Sequence, residues 1–301
     1  MNLRMQHLSR FASRLGVFAA AIGLVASVAG TAQPAAALSA PAPQQLLVHS
    51  VVKKTATVND FERVTVGCPN YTWAMSGGAE VATPVSSADS KALVGSFPEL
   101  LGSNKAYGWV ANARNFYEDP VTVTVWAVCV GLPGGYEVVQ TPLSQVPNDQ
   151  PVTATCPAGK TALGGGGEAQ GESSALGKSY PIAAGTGQGN KWVVAGRASY
   201  RTTVGIVGYV VCADPVPDIT VTRYTRTSTM PVGGYLSCLD TQRVVGGGAS
   251  SNGPETVLFA SRPGLKSEGL TRDGWWVQAA QSPNYYNQTF SADLYVMCMP
   301  R

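Results

Sequence analysis

Six cysteines divide this chain into three parts. They fall as Cys68 and Cys129, Cys156 and Cys212, and Cys238 and Cys298, separated by 61, 56 and 60 residues, and any fold has to accommodate that near-regular spacing. Self-similarity at a fixed period marks a repeat architecture, and the test is whether other residues keep step. They do. After the first cysteine of each pair come Gly77-Gly78, Gly165-Gly166 and Gly247-Gly248, then Ser96-Phe97-Pro98, Ser179-Tyr180-Pro181 and Ser261-Arg262-Pro263. A tryptophan follows, read as Trp109, Trp192 and Trp276, and an aromatic stands three residues before the second cysteine: Trp126, Tyr209 and Tyr295. With their β-rich lead-ins the units run approximately 46–131, 136–213 and 219–299, each with about five short strands.

The last strand of each unit alternates. In VTVTVWAVC, Val121, Val123, Val125 and Cys129 share one face and Thr122, Thr124 and Trp126 the other. In the third unit Phe290, Ala292, Leu294, Val296 and Cys298 oppose Ser291, Asp293 and Tyr295. One face is expected in the core and the other partly wet. Paired cysteines in an exported chain read as disulfides, and six allow 15 connectivities. The repeat favours Cys68–Cys129, Cys156–Cys212 and Cys238–Cys298, each joining the first core strand of a unit to its last and adding about 3–4 kcal/mol through loop entropy. A cross-unit pair such as Cys129 with Cys156 remains physically open. A metal site is not indicated, because close Cys-x-x-Cys or Cys/His spacing is missing.

The fold expected is all-β: three internal repeats closed as a pseudo-threefold β-prism. The alternatives are a β-trefoil and three tandem sandwich-like modules. The second unit, CPAGKTALGGGGEA followed by Trp192 and YVVCA, resembles a repeat common in secreted proteins of actinobacteria and in some phage tail-associated proteins. There Cys-Pro-x-Gly-x-x-x-x-Gly-Gly-Gly opens a unit and aromatic-x-x-Cys-Ala closes it. The first unit departs at Gly77-Gly78-Ala79, and the third begins Cys238-Leu239. The resemblance implies an extracellular β-rich module and no transferable reaction. The threefold plan is also similar in outline to β-prism proteins such as vitelline-membrane outer-layer protein.

The N-terminus adds localisation. Arg4, Arg10 and Arg14 precede the apolar run LGVFAAAIGLVASVAG, and Ala35-Ala36-Ala37 offers a small-x-small cleavage site. Residues 1–37 are therefore read as a secretory signal peptide and 38–45 as a short linker, with no membrane span left after cleavage. Removing three of the 21 Lys+Arg leaves 18 basic residues against 18 acidic. Without net positive charge or a basic run, nucleic acid is not an expected partner.

One motif points elsewhere. Ala154 to Thr161, ATCPAGKT, fits a relaxed phosphate-loop pattern, whose chemistry needs a helix N-terminus facing the anion. The residues that follow, ALGGGGEA, are poor helix material. Gly159-Lys160-Thr161 also aligns with Tyr71-Thr72-Trp73 and Thr241-Gln242-Arg243, so a β-turn is expected and no cofactor.

His49 is the sole histidine after the leader, which leaves little for His-dependent catalysis or a His-ligated metal. No catalytic residue is assigned. Glu80 and Glu168 occupy equivalent positions, with Ser250 in the third unit, and a carboxylate-based glycoside hydrolase is the weakest reading. A binding module fits better, directed at extracellular or cell-wall polysaccharide. Its candidate residues are the aromatics unmatched by the repeat, Trp275, Tyr285 and Tyr286, with Asn284 and Asn287. The alternative is a structural or inhibitor-like protein that engages a surface protein.

Overall fold

The computed structural model describes residues 48–82, 91–102, 104–117, 119–182, 189–281 and 288–301. The chain divides into Met1–Pro41 and Ala42–Arg301, and all described residues belong to the second unit. The proposed leader therefore lies outside the described residues.

The described residues are all-β, with one short 3-10 turn at Lys266–Glu268. The first repeat contributes β1 (Val48–Val58), β2 (Arg63–Gly67), β3 (Trp73–Val81), β4 (Lys91–Leu100), β5 (Ala106–Asn115) and β6 (Val121–Val130). The second contributes β7 (Glu137–Gln140), β8 (Ser144–Pro147), β9 (Val152–Thr155), β10 (Thr161–Gln170), β11 (Ser174–Pro181), β12 (Lys191–Ala198) and β13 (Thr203–Ala213). In the third lie β14 (Thr220–Ser228), β15 (Val232–Ser237), β16 (Gln242–Asn252), β17 (Thr256–Gly264), β18 (Gly274–Gln281) and β19 (Phe290–Pro300). Six strands per repeat replace the expected five, because the lead-in holds two strands. In the second repeat Thr141-Pro142-Leu143 breaks the first of these into β7 and β8, since proline cannot donate to a ladder.

Three antiparallel sheets result. The first runs β1-β6-β3-β17-β18-β15, the second β2-β5-β4-β10-β13-β7 with β8 also on β13, and the third β14-β19-β16-β11-β12-β9. Each sheet draws three strands from one repeat and three or, in the second sheet, four from another, so the repeats are not tandem modules. The third strand of each repeat meets the fourth strand of a neighbour. Ala79 lies opposite Ser261, Gly167 opposite Ser96, and Ala249 opposite Ser179.

Glycines inside strands are normally unfavourable, and here close approach explains them. A Cβ on Gly77, Gly165 or Gly247 would enter the ring of Trp109, Trp192 or Trp275. One on Gly78, Gly166 or Gly248 would strike the backbone at Ser261, Ser96 or Ser179 of the neighbouring repeat. The first glycine makes room for the tryptophan and the second for the neighbouring chain. Each indole N–H donates to the serine of its own repeat: Trp109 to Ser96 at 2.9 Å, Trp192 to Ser179 at 3.0 Å and Trp275 to Ser261 at 3.0 Å.

A second set of contacts runs round the three repeats. Each third strand bulges by one residue before its glycines, at Met75, Leu163 and Val245, and all three bulged residues are fully buried in one cluster with Val128, Val130, Met297 and Met299. Ser76 Oγ donates to the Val245 carbonyl, Gly164 abuts the Met75 carbonyl, and Gly246 abuts that of Leu163. Each bulge thus leans on the next.

The three disulfides are the within-repeat set, Cys68–Cys129, Cys156–Cys212 and Cys238–Cys298. Each joins an early strand of its repeat to the last strand of the same repeat, and the two strands lie in different sheets. Cys68, Cys156 and Cys238 follow β2, β9 and β15, whereas their partners lie on β6, β13 and β19, and these strands belong to different sheets. Each bond therefore ties two sheets, and together the three tie every pair.

The alternation of β6 holds only at its outer end. Thr122 and Thr124 pair with Thr57 and Thr55 of β1 through hydroxyls at 2.8 and 2.9 Å, but beyond Val125 both faces are buried.

Candidate functional site

Where two repeats meet, the middle residue of Ser-x-Pro from one comes beside the aromatic three residues before the last cysteine of another. The sequence pattern puts the aromatic on the strand face opposite the cysteine, and strand pairing brings the two residues together, where Trp126, Phe97, Tyr209 and Tyr295 are buried and Arg262 and Tyr180 partly exposed. In the first sheet the Arg262 guanidinium lies over the rings of Trp126 at 4.7 Å and Trp276 at 5.9 Å. It pairs with Glu80 at 2.6 Å and Glu268 at 3.0 Å, while Lys53 reaches Glu268 at 2.8 Å and stands 5.9 Å from the Trp126 ring.

The other two joints stack aromatics instead. In the second sheet the rings of Phe97 and Tyr209 are 5.1 Å apart and 12° from parallel, and Arg63 lies 5.2 Å from the Phe97 ring. Arg63 donates to both oxygens of Glu168 at 2.7 and 2.9 Å, and Asn112 and Gln170 donate to the same carboxylate. In the third sheet Tyr180 and Tyr295 are 4.8 Å apart, again at 12°. Arg223 pairs with Asp293 at 3.0 Å, and Thr225 and Asn252 donate to the same carboxylate.

These ion pairs are lopsided. The side chains of Lys53, Arg63 and Arg223 are 56%, 56% and 58% exposed, whereas their partners Glu268, Glu168 and Asp293 are 19%, 5% and 8% exposed. Burial alone would push the Glu268 carboxyl up, but Lys53 and Arg262 outweigh it and hold it below the usual range. Burial, with the Glu168 charge adding to it, pushes the Tyr209 phenol up to about 12 despite Arg63. Burial and Asp293 do the same to Tyr295, also up to about 12. Both rings stay neutral through the physiological range and act as apolar plates.

The expected residues are distributed differently. Trp275, read as unmatched and ligand-facing, is the packing tryptophan of the third repeat: it is 1% exposed, lies against Gly247 and donates to Ser261. Trp276 is the unmatched one, and one extra residue between Ser261 and the tryptophan shifted the alignment. Tyr285, Tyr286, Asn284 and Asn287 lie outside the described residues. His49 is in β1. Glu80 and Glu168 sit in different sheets, each held by an arginine, so they form no general acid/base pair. Among the described residues no group of three or more His, Cys, Asp or Glu could hold a metal ion.

Lys160 is explained locally. Its N–H closes a turn onto Pro157, Gly159 takes the left-handed conformation at φ 80°, and strand β10 follows where a phosphate loop needs a helix. Its ammonium donates to the Gly135 carbonyl at 2.6 Å and pairs with Glu137.

Sequence reading missed Arg63, Arg223, Lys53 and Asp293. Only the aromatic members carried a repeat signal, whereas the charged partners come from strands whose pairing had no sequence mark. Compared with known proteins, the chain matches no family model and no curated sequence.

Proposed function

We propose that this protein is a secreted, disulfide-stabilised binding module that attaches to cell-surface or cell-wall polysaccharide through the outer faces of its sheets. Three features support the secreted reading: the leader-like residues 1–37, the three disulfides, and the lack, among described residues, of a helix long and apolar enough to cross a membrane. Cyclic sharing of strands and the ring of bulge contacts support a pseudo-threefold β-prism.

The observation that carries the polysaccharide reading is the joint of the third sheet. A partly exposed Tyr180 stacks on Tyr295 beside Arg223, Thr225, Asn252 and Asp293. Sugar rings are bound by such a combination, a flat apolar plate with donors and acceptors at its rim. The test is retention of the purified mature protein on insoluble cell-wall polysaccharide, competed by the soluble form and weakened at least tenfold by Tyr180→Ala. Passage through every polysaccharide matrix tried would end this reading.

A second reading, docking of a surface protein, draws on β14. This edge strand of nine residues pairs only with β19, and its burial pattern is exposed at all but two positions. Open edges accept an added strand.

A further inference from the structure

We infer that the polysaccharide is anionic, bearing carboxylate or phosphate groups, and that it is met by three separate sites, one on each sheet. This rests on the polysaccharide reading above and narrows it. The repeated element is the lopsided ion pair: Lys53 with Glu268, Arg63 with Glu168, and Arg223 with Asp293. In each the cation is more than half exposed and the carboxylate is the less exposed partner, buried for Glu168 and Asp293 and partly exposed for Glu268, so the positive end of the pair is the outward one. Each cation also stands beside a ring at its joint. Lys53 is 5.9 Å from Trp126, Arg63 is 5.2 Å from Phe97, and Arg223 is paired to Asp293, two residues before Tyr295.

Repetition argues against accident. Lys53 and Arg223 occupy equivalent places, opposite Trp126 and Tyr295 on the first strands β1 and β14, whereas Arg63 comes from β2, yet each sheet carries the same chemistry at its joint. General charge attraction does not supply the effect, because residues 38–301 carry 18 basic and 18 acidic side chains. Anion preference in a chain of zero net charge has to come from local arrangement. An approaching carboxylate or phosphate displaces water from the outward N–H groups while the less exposed acid keeps its own hydrogen bonds.

The test uses the whole mature protein and three immobilised probes: polygalacturonate as carboxylate source, a phosphomannan as phosphate source, and dextran as neutral control. Retention on one or both anionic matrices is expected, falling at least tenfold between 50 and 500 mM NaCl, with none on dextran. Retention on the carboxylate matrix alone, or the phosphate matrix alone, identifies the group recognised. Calorimetry with a short galacturonate or mannose-phosphate oligomer should give close to three sites per chain. Lys53→Gln, on an exposed edge, should remove one site. The paired change Arg63→Gln with Glu168→Gln, which leaves no uncompensated buried charge, should remove another. Binding equal on dextran and on the anionic matrices would overturn the anionic inference and leave the polysaccharide reading standing, whereas no binding to any of the three would end both. A stoichiometry of one, or full binding by both variants, would overturn the three-site assignment.

Discussion

The inner and outer sides of the repeat joints differ in how much they vary. Inside, the three repeats are the same residue for residue: glycine against tryptophan, tryptophan to serine, second glycine against the neighbour's backbone. Outside, the equivalent positions are Arg262 over Trp126, Phe97 on Tyr209, and Tyr180 on Tyr295. The inner side tolerates no substitution because the space left for a Cβ is already filled by a ring or a carbonyl. The outer side needs only a flat group and a partner, and several residue types satisfy that. Of these six residues only Arg262 and Tyr180 are partly exposed, so the joints vary in a layer that is itself largely buried.

The largest way to break the inner side is Trp192→Ala. Removing a fully buried indole should cost about 3–5 kcal/mol, measured as a lowered urea midpoint with unchanged slope. Tyr180→Ala, at the outer end of the same strand pairing, should cost markedly less. Equal losses would mean that the partly exposed Tyr180 contributes to the core as much as the fully buried indole does.

Gly166→Ala comes next, at about 1–3 kcal/mol, because the new methyl meets the Ser96 carbonyl and the Phe97 backbone, neither of which can rotate away. The same change at Gly208, where the nearest atoms are 3.6 Å or farther, should be far milder. That contrast in thermal midpoint tests whether approach of the neighbouring repeat explains the glycine.

Ser179→Ala should cost about 1–3 kcal/mol, since the buried Trp192 N–H then has no acceptor. Threonine there should recover part of the loss, which unfolding of the two variants would read directly.

The outer side is sharpened by pH. Tyr209 and Tyr295 are held at about 12, above the ordinary phenol value of about 10. Between these values the unfolded chain releases protons that the folded chain keeps, so stability contributed by both rings is full below pH 10 and declines as pH rises towards 12. Denaturant midpoints across that window should fall, and Tyr209→Phe with Tyr295→Phe should flatten the fall.

Much of the fold was legible, for particular reasons. The cysteine spacing and the Gly-Gly, Ser-x-Pro and tryptophan markers recur because each fills a steric or bonding role that only one or two residue types can fill. That is why the repeat and the disulfide pairing could be read. The candidate site was far less legible. Arg63 and Glu168 are 105 residues apart, and Arg262 and Glu80 are 182 apart, with nothing in either segment marking the other as its partner. Trp275 and Trp276 are adjacent and chemically identical. One inserted residue decided which faces the core, and strand register settles that with a period of two.

By itself, then, the sequence determined an all-β chain of three repeats, favoured the within-repeat pairing of its cysteines and marked most of its packing residues, Trp275 excepted, because these depend on local shape and on composition within one repeat. Only the tertiary structure decided that each sheet is shared by two repeats, that each disulfide joins two sheets, and that Lys53, Arg63 and Arg223 stand outward from less exposed acids. The physical reason is that a strand carries unpaired N–H and C=O groups on both edges and is satisfied equally well by its own repeat or by another. The choice between them is made by the whole core, where Met75, Leu163 and Val245 from three repeats must be buried together.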